Sequence, residues 1–447
     1  MIDMRFFLNM LDKFVINKYF IWVLTTLFII TLLLSFLLKI NLSNILGSFS
    51  YNEYLLNYGI QTKNGGVVSD LATHWNYIVF LKEDFSNIIN LTLGVDTNLI
   101  NYPLHHLIFS KFFFIDSLNN YLLTILMISF FLPVIFYFII KNRFKSIHKS
   151  NTILLSSLIF MMPVFQYTAI WGNNHNTALI FFSLGILYLN SFVETNFNKN
   201  IKLIISIIFF SLACYTKQYY SFFFIFLLIY LINKISFKKF IFIFIFIILC
   251  AIPGIYYLIL NPLLFFGMKQ NITNFNSAIL ISSSIIFFYL IPFIIQTIIN
   301  NFDKNKLKLS YFFDKKIFLI SLIISILCSI NFYYNGNVGG GIILKLSYLL
   351  FQNHYLIFPS AFFGIYFLLY FSQNTISNYV LSILLLITFN TGYFVFQKYF
   401  EPMIYIILLS FFDKKKILQS IQKSNYIIVT YFCIYYLAST YIYFSGL

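Results

Sequence analysis

Long apolar runs recur from one end of the 447-residue chain to the other, separated by polar segments. They fall near 20–38, 121–140, 152–170, 177–193, 203–215, 220–232, 240–260, 278–299, 317–331, 355–371, 379–396, 403–412 and 426–445. A run of about 18 or more apolar residues with few charges is long enough to cross a bilayer as a helix. Only 9% of the residues are charged and 60% are hydrophobic, whereas soluble domains carry about 25% charged residues. That leaves too little polar surface to cover a water-soluble core. A soluble enzyme, a disordered chain and a secreted disulfide scaffold are excluded. The fold class expected is all-α: one polytopic integral membrane domain over 1–447 with about 13 transmembrane helices. Its first outer loop, 39–119, is large and is expected to carry short amphipathic helices.

The formal net charge of +16 takes its meaning from this topology. With the N-terminus in the cytoplasm and the runs alternating across the membrane, 21 of the 29 Lys and Arg fall on the cytoplasmic side. That is the positive-inside pattern, so the charge calls for no nucleic-acid partner. The acids and histidines show the opposite bias. Glu53, Asp70, Glu83, Asp84, Asp96 and Asp116 share the first outer loop, Glu401 lies in a later one, and every His except His148 is on the outer side. Chemistry therefore belongs to the outer face. The inner loops are short and basic, with no Walker motif. Cys214, Cys250, Cys328 and Cys433 show neither CxxC spacing nor a neighbouring His, so no zinc site or disulfide framework is indicated. Only Arg5 and Arg143 are Arg among the cations, so any phosphate contact is made by Lys, a point charge rather than a fork.

Within the first outer loop, Asp70 and His74 are four residues apart in Gly65-Gly66-Val67-Val68-Ser69-Asp70-Leu71-Ala72-Thr73-His74-Trp75. On a helix they share one face. A carboxylate beside an imidazole can serve as a general base toward a hydroxyl. Further on, Asn101-Tyr102-Pro103-Leu104-His105-His106 supplies two donors to a phosphate or hydroxyl. Adjacent His point to different sides, a poor metal pair compared with i,i+4 spacing. Later outer loops each offer polar or cationic groups beside aromatics: Trp171-Gly172-Asn173-Asn174-His175-Asn176, Tyr215-Thr216-Lys217-Gln218-Tyr219, Lys269, Asn353-His354-Tyr355 and Gln397-Lys398-Tyr399-Phe400-Glu401-Pro402. The run Gly339-Gly340-Gly341 has the composition of a backbone anion nest.

In this order the motifs resemble the GT-C superfamily of polytopic glycosyltransferases, and more loosely the dolichyl-phosphoglucose-dependent alpha-1,2-glucosyltransferase family. The resemblance implies sugar transfer at the outer face from a polyprenyl-phosphate donor to a glycan, lipid-linked or protein acceptor. It implies Asp70 as general base, with His74 orienting it. His105, His106, His175, Lys217, Gln218, Lys269, His354, Lys398, Tyr399 and Glu401 are then the substrate-binding candidates. Some members use a divalent metal, so such an ion is a candidate cofactor, although no residue is assigned to hold it. The chain departs from the family in three places: Ser69-Asp70 leaves one carboxylate where relatives have two, and Lys217 and Lys398 stand where they have Arg. The compact chain without low-complexity inserts points to a bacterial inner membrane, with the endoplasmic reticulum membrane as the alternative. Rival readings are an O-antigen-type polymerase or ligase and a lipid-linked oligosaccharide flippase. The long acidic loop after the first run and the near absence of charge within the runs favour the transferase.

Overall fold

The computed structural model describes residues 18–45, 65–86, 103–260, 275–302, 313–334, 339–373, 375–388, 395–422 and 425–445. Among the described residues the regular structure is helical and there is no strand. Each of the thirteen apolar runs coincides with helix over at least part of its length.

Helix α1 (Lys18–Ile45) is followed by α2 (Gly65–Glu83) and the short α3 (Leu104–Lys111). Next come α4 (Leu118–Ser129), α5 (Phe131–Arg143), α6 (Lys149–Ser157), α7 (Pro163–Ile170) and α8 (Asn174–Glu194). The middle of the chain forms α9 (Asn200–Thr216), α10 (Phe222–Leu231), α11 (Phe237–Leu260) and α12 (Phe275–Phe302). It ends with α13 (Lys315–Ser329), α14 (Gly341–Phe351), α15 (Ile357–Ser372), α16 (Ile376–Ile387), α17 (Met403–Phe411), α18 (Lys414–Ile421) and α19 (Tyr426–Ser445).

Among the described residues, five stretches of helix are long and apolar enough to cross a membrane: Tyr19–Leu37, Leu118–Arg143, Asn174–Glu194, Phe237–Ile259 and Phe275–Asn300. A sixth is available if Lys149–Met161 and Pro163–Ile170, bent by 62°, form one broken span. The break falls at Pro163, which cannot donate to the preceding turn. Most of the remaining apolar helices are shorter than a full crossing, α19 with its 20 residues being the exception. At 1.5 Å per residue, the 16-residue α15 covers about 24 Å, against a hydrocarbon core of about 30 Å.

Several helix starts follow directly from local sequence. Ser117, Asn173, Thr375, Asp314 and Asp413 each accept a backbone N–H from the first turn of α4, α8, α16, α13 and α18, the usual work of short polar side chains at an N-cap. Two helix pairings dominate the interior, α8 with α9 and α12 with α15. Between α8 and α9, the Ser206 hydroxyl donates to the Gly185 carbonyl at 2.7 Å. Phe182, Phe210 and Phe223 pack ring to ring across α8, α9 and α10. By contrast α1 and α11 leave long apolar faces uncovered by protein, with Trp22, Leu34, Leu37, Phe242, Ile252 and Ile259 all exposed. Exposed faces of that length belong against lipid or another apolar surface.

Candidate functional site

The turn before α8 anchors the site. Gly172 takes a left-handed backbone at φ +65, and a Cβ there would stand 2.6 Å from the Tyr121 ring. Glycine is the residue that fits. The Gly172 carbonyl accepts the Tyr121 hydroxyl, Asn173 caps α8 through His175 N at 3.1 Å, and Asn174 Nδ2 reaches the Thr216 carbonyl at 3.4 Å. Asn176 ties the start of α8 to α4 and α7, donating to Ser129 Oγ at 2.9 Å and to the Phe165 carbonyl at 3.2 Å. Most of the motif Trp171–Asn176 is thus structural, and it presents one functional candidate, His175.

Three further imidazoles gather beside it. Helix α2 contributes His74, and α3, which packs against it, contributes His105 and His106. All three are buried. His74 Nδ1 and His106 Nε2 are 2.9 Å apart, and their rings stack with centroids 5.1 Å apart. His105 is held from both ends, by Thr177 Oγ1 at 3.1 Å and by the Tyr121 hydroxyl at 2.7 Å. Burial holds all three imidazoles below their ordinary range, His106 down to about 3. Mutual repulsion and the positive charge of Lys217 act in the same direction, with Lys398 adding to the effect at His74. A buried imidazole in this setting is neutral at pH 7.

The two lysines complete the cluster. Lys217 ends α9, with its backbone N–H donating to the Ala213 carbonyl at 2.8 Å, and it is buried at 6% exposure. Lys398 lies on the single turn Gln397–Tyr399. Both lie close enough for their charges to act on His74 and His175. His175 Nδ1 meets the Tyr219 hydroxyl at 2.9 Å. The ring of Tyr399 lies 6.0 Å from His175 and 5.8 Å from Tyr219, so the three rings form a triangle. Two buried nitrogens in this cluster, His106 Nδ1 and His175 Nε2, have no hydrogen-bond partner among the described residues. Buried polar atoms are ordinarily paired, so both suit a polar ligand group.

The other candidates lie elsewhere. Gln218 follows Lys217 and opens a 3₁₀ turn, Gln218–Ser221. His354 belongs to the α14–α15 corner, where its Nε2 meets the Tyr348 hydroxyl at 3.0 Å and its ring meets Phe332. Glu401 is buried at 1% exposure. Its Oε1 accepts Val164 N at 2.8 Å, and its Oε2 accepts the hydroxyls of Tyr289 and, at 2.6 Å, Tyr435. Asp70 occupies α2 four positions before His74, and its side chain lies outside the described residues, as does Lys269. The three glycines 339–341 all take φ near +75. Two of the N–H groups around them are used by the protein, Gly340 N on the Val395 carbonyl and Ile342 N on Gln397 Oε1. These two bonds tie the loop to the 395–397 segment.

A metal does not fit the described donor set. Two nitrogens on one tetrahedral ion at about 2.1 Å stand roughly 3.4 Å apart, whereas His74 and His106 are at hydrogen-bond separation and both His105 nitrogens are engaged. Among the described residues no group of three His, Cys, Asp or Glu could hold an ion.

Tyr121, Thr177, Tyr289 and Tyr435 take part in these networks and carried no signal in the sequence. With 34 Tyr in the chain, many inside apolar runs, a functional tyrosine looks like any other.

No protein-family model, curated protein or solved structure matches the chain.

Proposed function

We propose that the chain is a membrane-embedded glycosyltransferase of the GT-C kind, taking a sugar from a polyprenyl-phosphate donor at the outer membrane face. One observation carries this reading. His74, His106, His175, Lys217 and Lys398 come from five separate stretches of chain and meet in one cluster. A phosphate leaving group needs cations, and an acceptor hydroxyl needs a base. The cluster supplies the cations, and Asp70 lies one helical turn before His74.

The acceptor oxygen forms a bond to the anomeric carbon as the bond from that carbon to the phosphate oxygen breaks. The electron pair leaves on the polyprenyl phosphate, and the acceptor proton passes to the Asp70 carboxylate. Lys217 and Lys398 offset the charge that grows on the phosphate, a form of electrostatic stabilisation that is strong where water is excluded. His74, neutral and bonded to His106, stays available as a hydrogen-bond partner. In this reading the remaining apolar helices join the long ones to complete a bundle of about 13 spans, the shorter ones reaching across as broken or thinned segments.

The test is mass spectrometry of lipid-linked glycans from membranes with and without the protein. Loss of the protein is expected to leave a glycan one sugar short and to accumulate a polyprenyl-phosphate sugar. Identical profiles would overturn the reading.

A further inference from the structure

Glu401 lies three residues after Lys398, yet its carboxylate faces away from solvent and is saturated by protein donors. Val164 N comes from the start of α7, Tyr289 from α12 and Tyr435 from α19. Gln397 completes the ring. Its Nε2 donates to the oxygens of Tyr289 at 2.8 Å and Tyr435 at 2.7 Å, and its Oε1 accepts Ile342 N at 3.0 Å. Every donor in the ring is therefore directed: amide to phenol oxygen, phenol hydroxyl to carboxylate. Only an acceptor at position 401 closes that sequence. Between Gln397 and Glu401 the backbone forms one tight turn, with Phe400 N and Glu401 N both donating to the Gln397 carbonyl. That turn carries Lys398 and Tyr399.

We infer that Glu401 is a positioning residue: through Tyr289, Tyr435 and Gln397 it holds the 397–401 turn so that Lys398 and Tyr399 face His175. For its effect on sugar transfer this inference rests on the function proposed above, but its effect on the turn does not. Burial raises the Glu401 carboxyl from its ordinary range to about 7. The titratable groups that face it are Tyr289 and Tyr435, while α7 presents a backbone N–H. The ring is thus complete above neutral pH, and protonation of Glu401 disturbs its donor order below it.

The test uses the full-length protein in detergent, as wild type, Glu401→Ala, Glu401→Gln and Tyr435→Phe. Hydrogen exchange is read on peptides spanning 395–402. Glu401→Ala is expected to speed exchange of the backbone amides at positions 399, 400 and 401 by about tenfold or more, a local opening. Glu401→Gln, which like protonation leaves a single acceptor oxygen, and Tyr435→Phe, which removes one donor, each fall between wild type and Glu401→Ala. Peptides from α8 serve as the folding control. If Glu401→Ala loses α8 protection as well, Tyr435→Phe decides. Unchanged exchange in the decisive variant overturns the inference.

The second readout is kinetic, with a polyprenyl-phosphate hexose that the wild type turns over. Glu401→Ala should raise donor KM about tenfold with kcat changed by less than about threefold, the pattern of lost donor binding. Wild-type KM should rise as pH falls through 7, and Glu401→Gln should be flat across that range. A loosened turn with unaltered KM would overturn the link to the site. A wild type with no transfer activity would overturn the functional reading, leaving the exchange result to decide this one.

Discussion

His74 Nδ1 and His106 Nε2 lie 2.9 Å apart although 32 positions separate them in the chain. One ring must donate the shared proton and the other accept it, so the pair works only when it does not carry two charges. This bond is the joint between α2, which bears Asp70, and α3.

Acid should loosen that joint. The folded-state values of His74, His105 and His106 all lie below the ordinary 6.5. The unfolded chain therefore binds more protons than the folded one below pH 6.5, and stability falls as pH drops. The limiting slope is about 1.4 kcal/mol per pH unit for each histidine. Thermal melts in detergent at pH 7, 6 and 5 should show a falling Tm, and His106→Asn should flatten the fall. A Tm that rises between pH 7 and 5 would contradict the account.

Glu401 acts in the opposite sense. Its carboxyl is raised to about 7 from 4.5, so its contribution is fully present below pH 4.5 and is lost as pH rises through 7. The difference amounts to about 3 kcal/mol. Glu401→Gln removes this opposing contribution, so its melts should lose stability more steeply than wild type between pH 7 and 5.

Gly172→Ala combines a left-handed backbone with a Cβ 2.6 Å from the Tyr121 ring. A cost of about 1–3 kcal/mol is expected, seen as a lower Tm. Tyr121→Phe in the same background relieves none of the clash, since the ring remains. A Gly172→Ala protein as stable as wild type would show that the turn is not held as described.

Lys398 should act through charge. Lys398→Gln is expected to lower kcat/KM about tenfold or more, whereas Lys398→Arg keeps the charge and should recover most of it. Steady-state kinetics with a polyprenyl-phosphate hexose separates the two, and equal losses would argue against a charge role.

Much of the helical architecture was legible in the sequence, because apolar run length is a local signal. The runs 177–193 and 278–299, for example, lie within α8 and α12. The number of crossings was less legible, since runs such as 203–215 and 403–412 form helices whose length does not settle how they meet a bilayer. For the site, His74, His106, His175, Lys217 and Lys398 stood out because ionisable residues are scarce in this chain. Their convergence depends on tertiary packing, which no spacing encodes. The separate place of His354 and the saturated environment of Glu401 are of the same kind: partners such as Tyr289 and Tyr435 arrive from helices over a hundred and over thirty residues away. At the glycine run 339–341, Val395 and Gln397 take up two N–H groups through partners that lie far along the chain.

The central claim is sugar transfer driven by Asp70, and the most direct measurement is release of polyprenyl phosphate from a radiolabelled polyprenyl-phosphate hexose. Purified wild type and Asp70→Asn would be compared with native membranes as the acceptor source. The account predicts label transferred to acceptor by the wild type and a loss of at least about a hundredfold in Asp70→Asn, the scale of a missing general base, with equal expression and thermal stability. Full transfer by Asp70→Asn would contradict it.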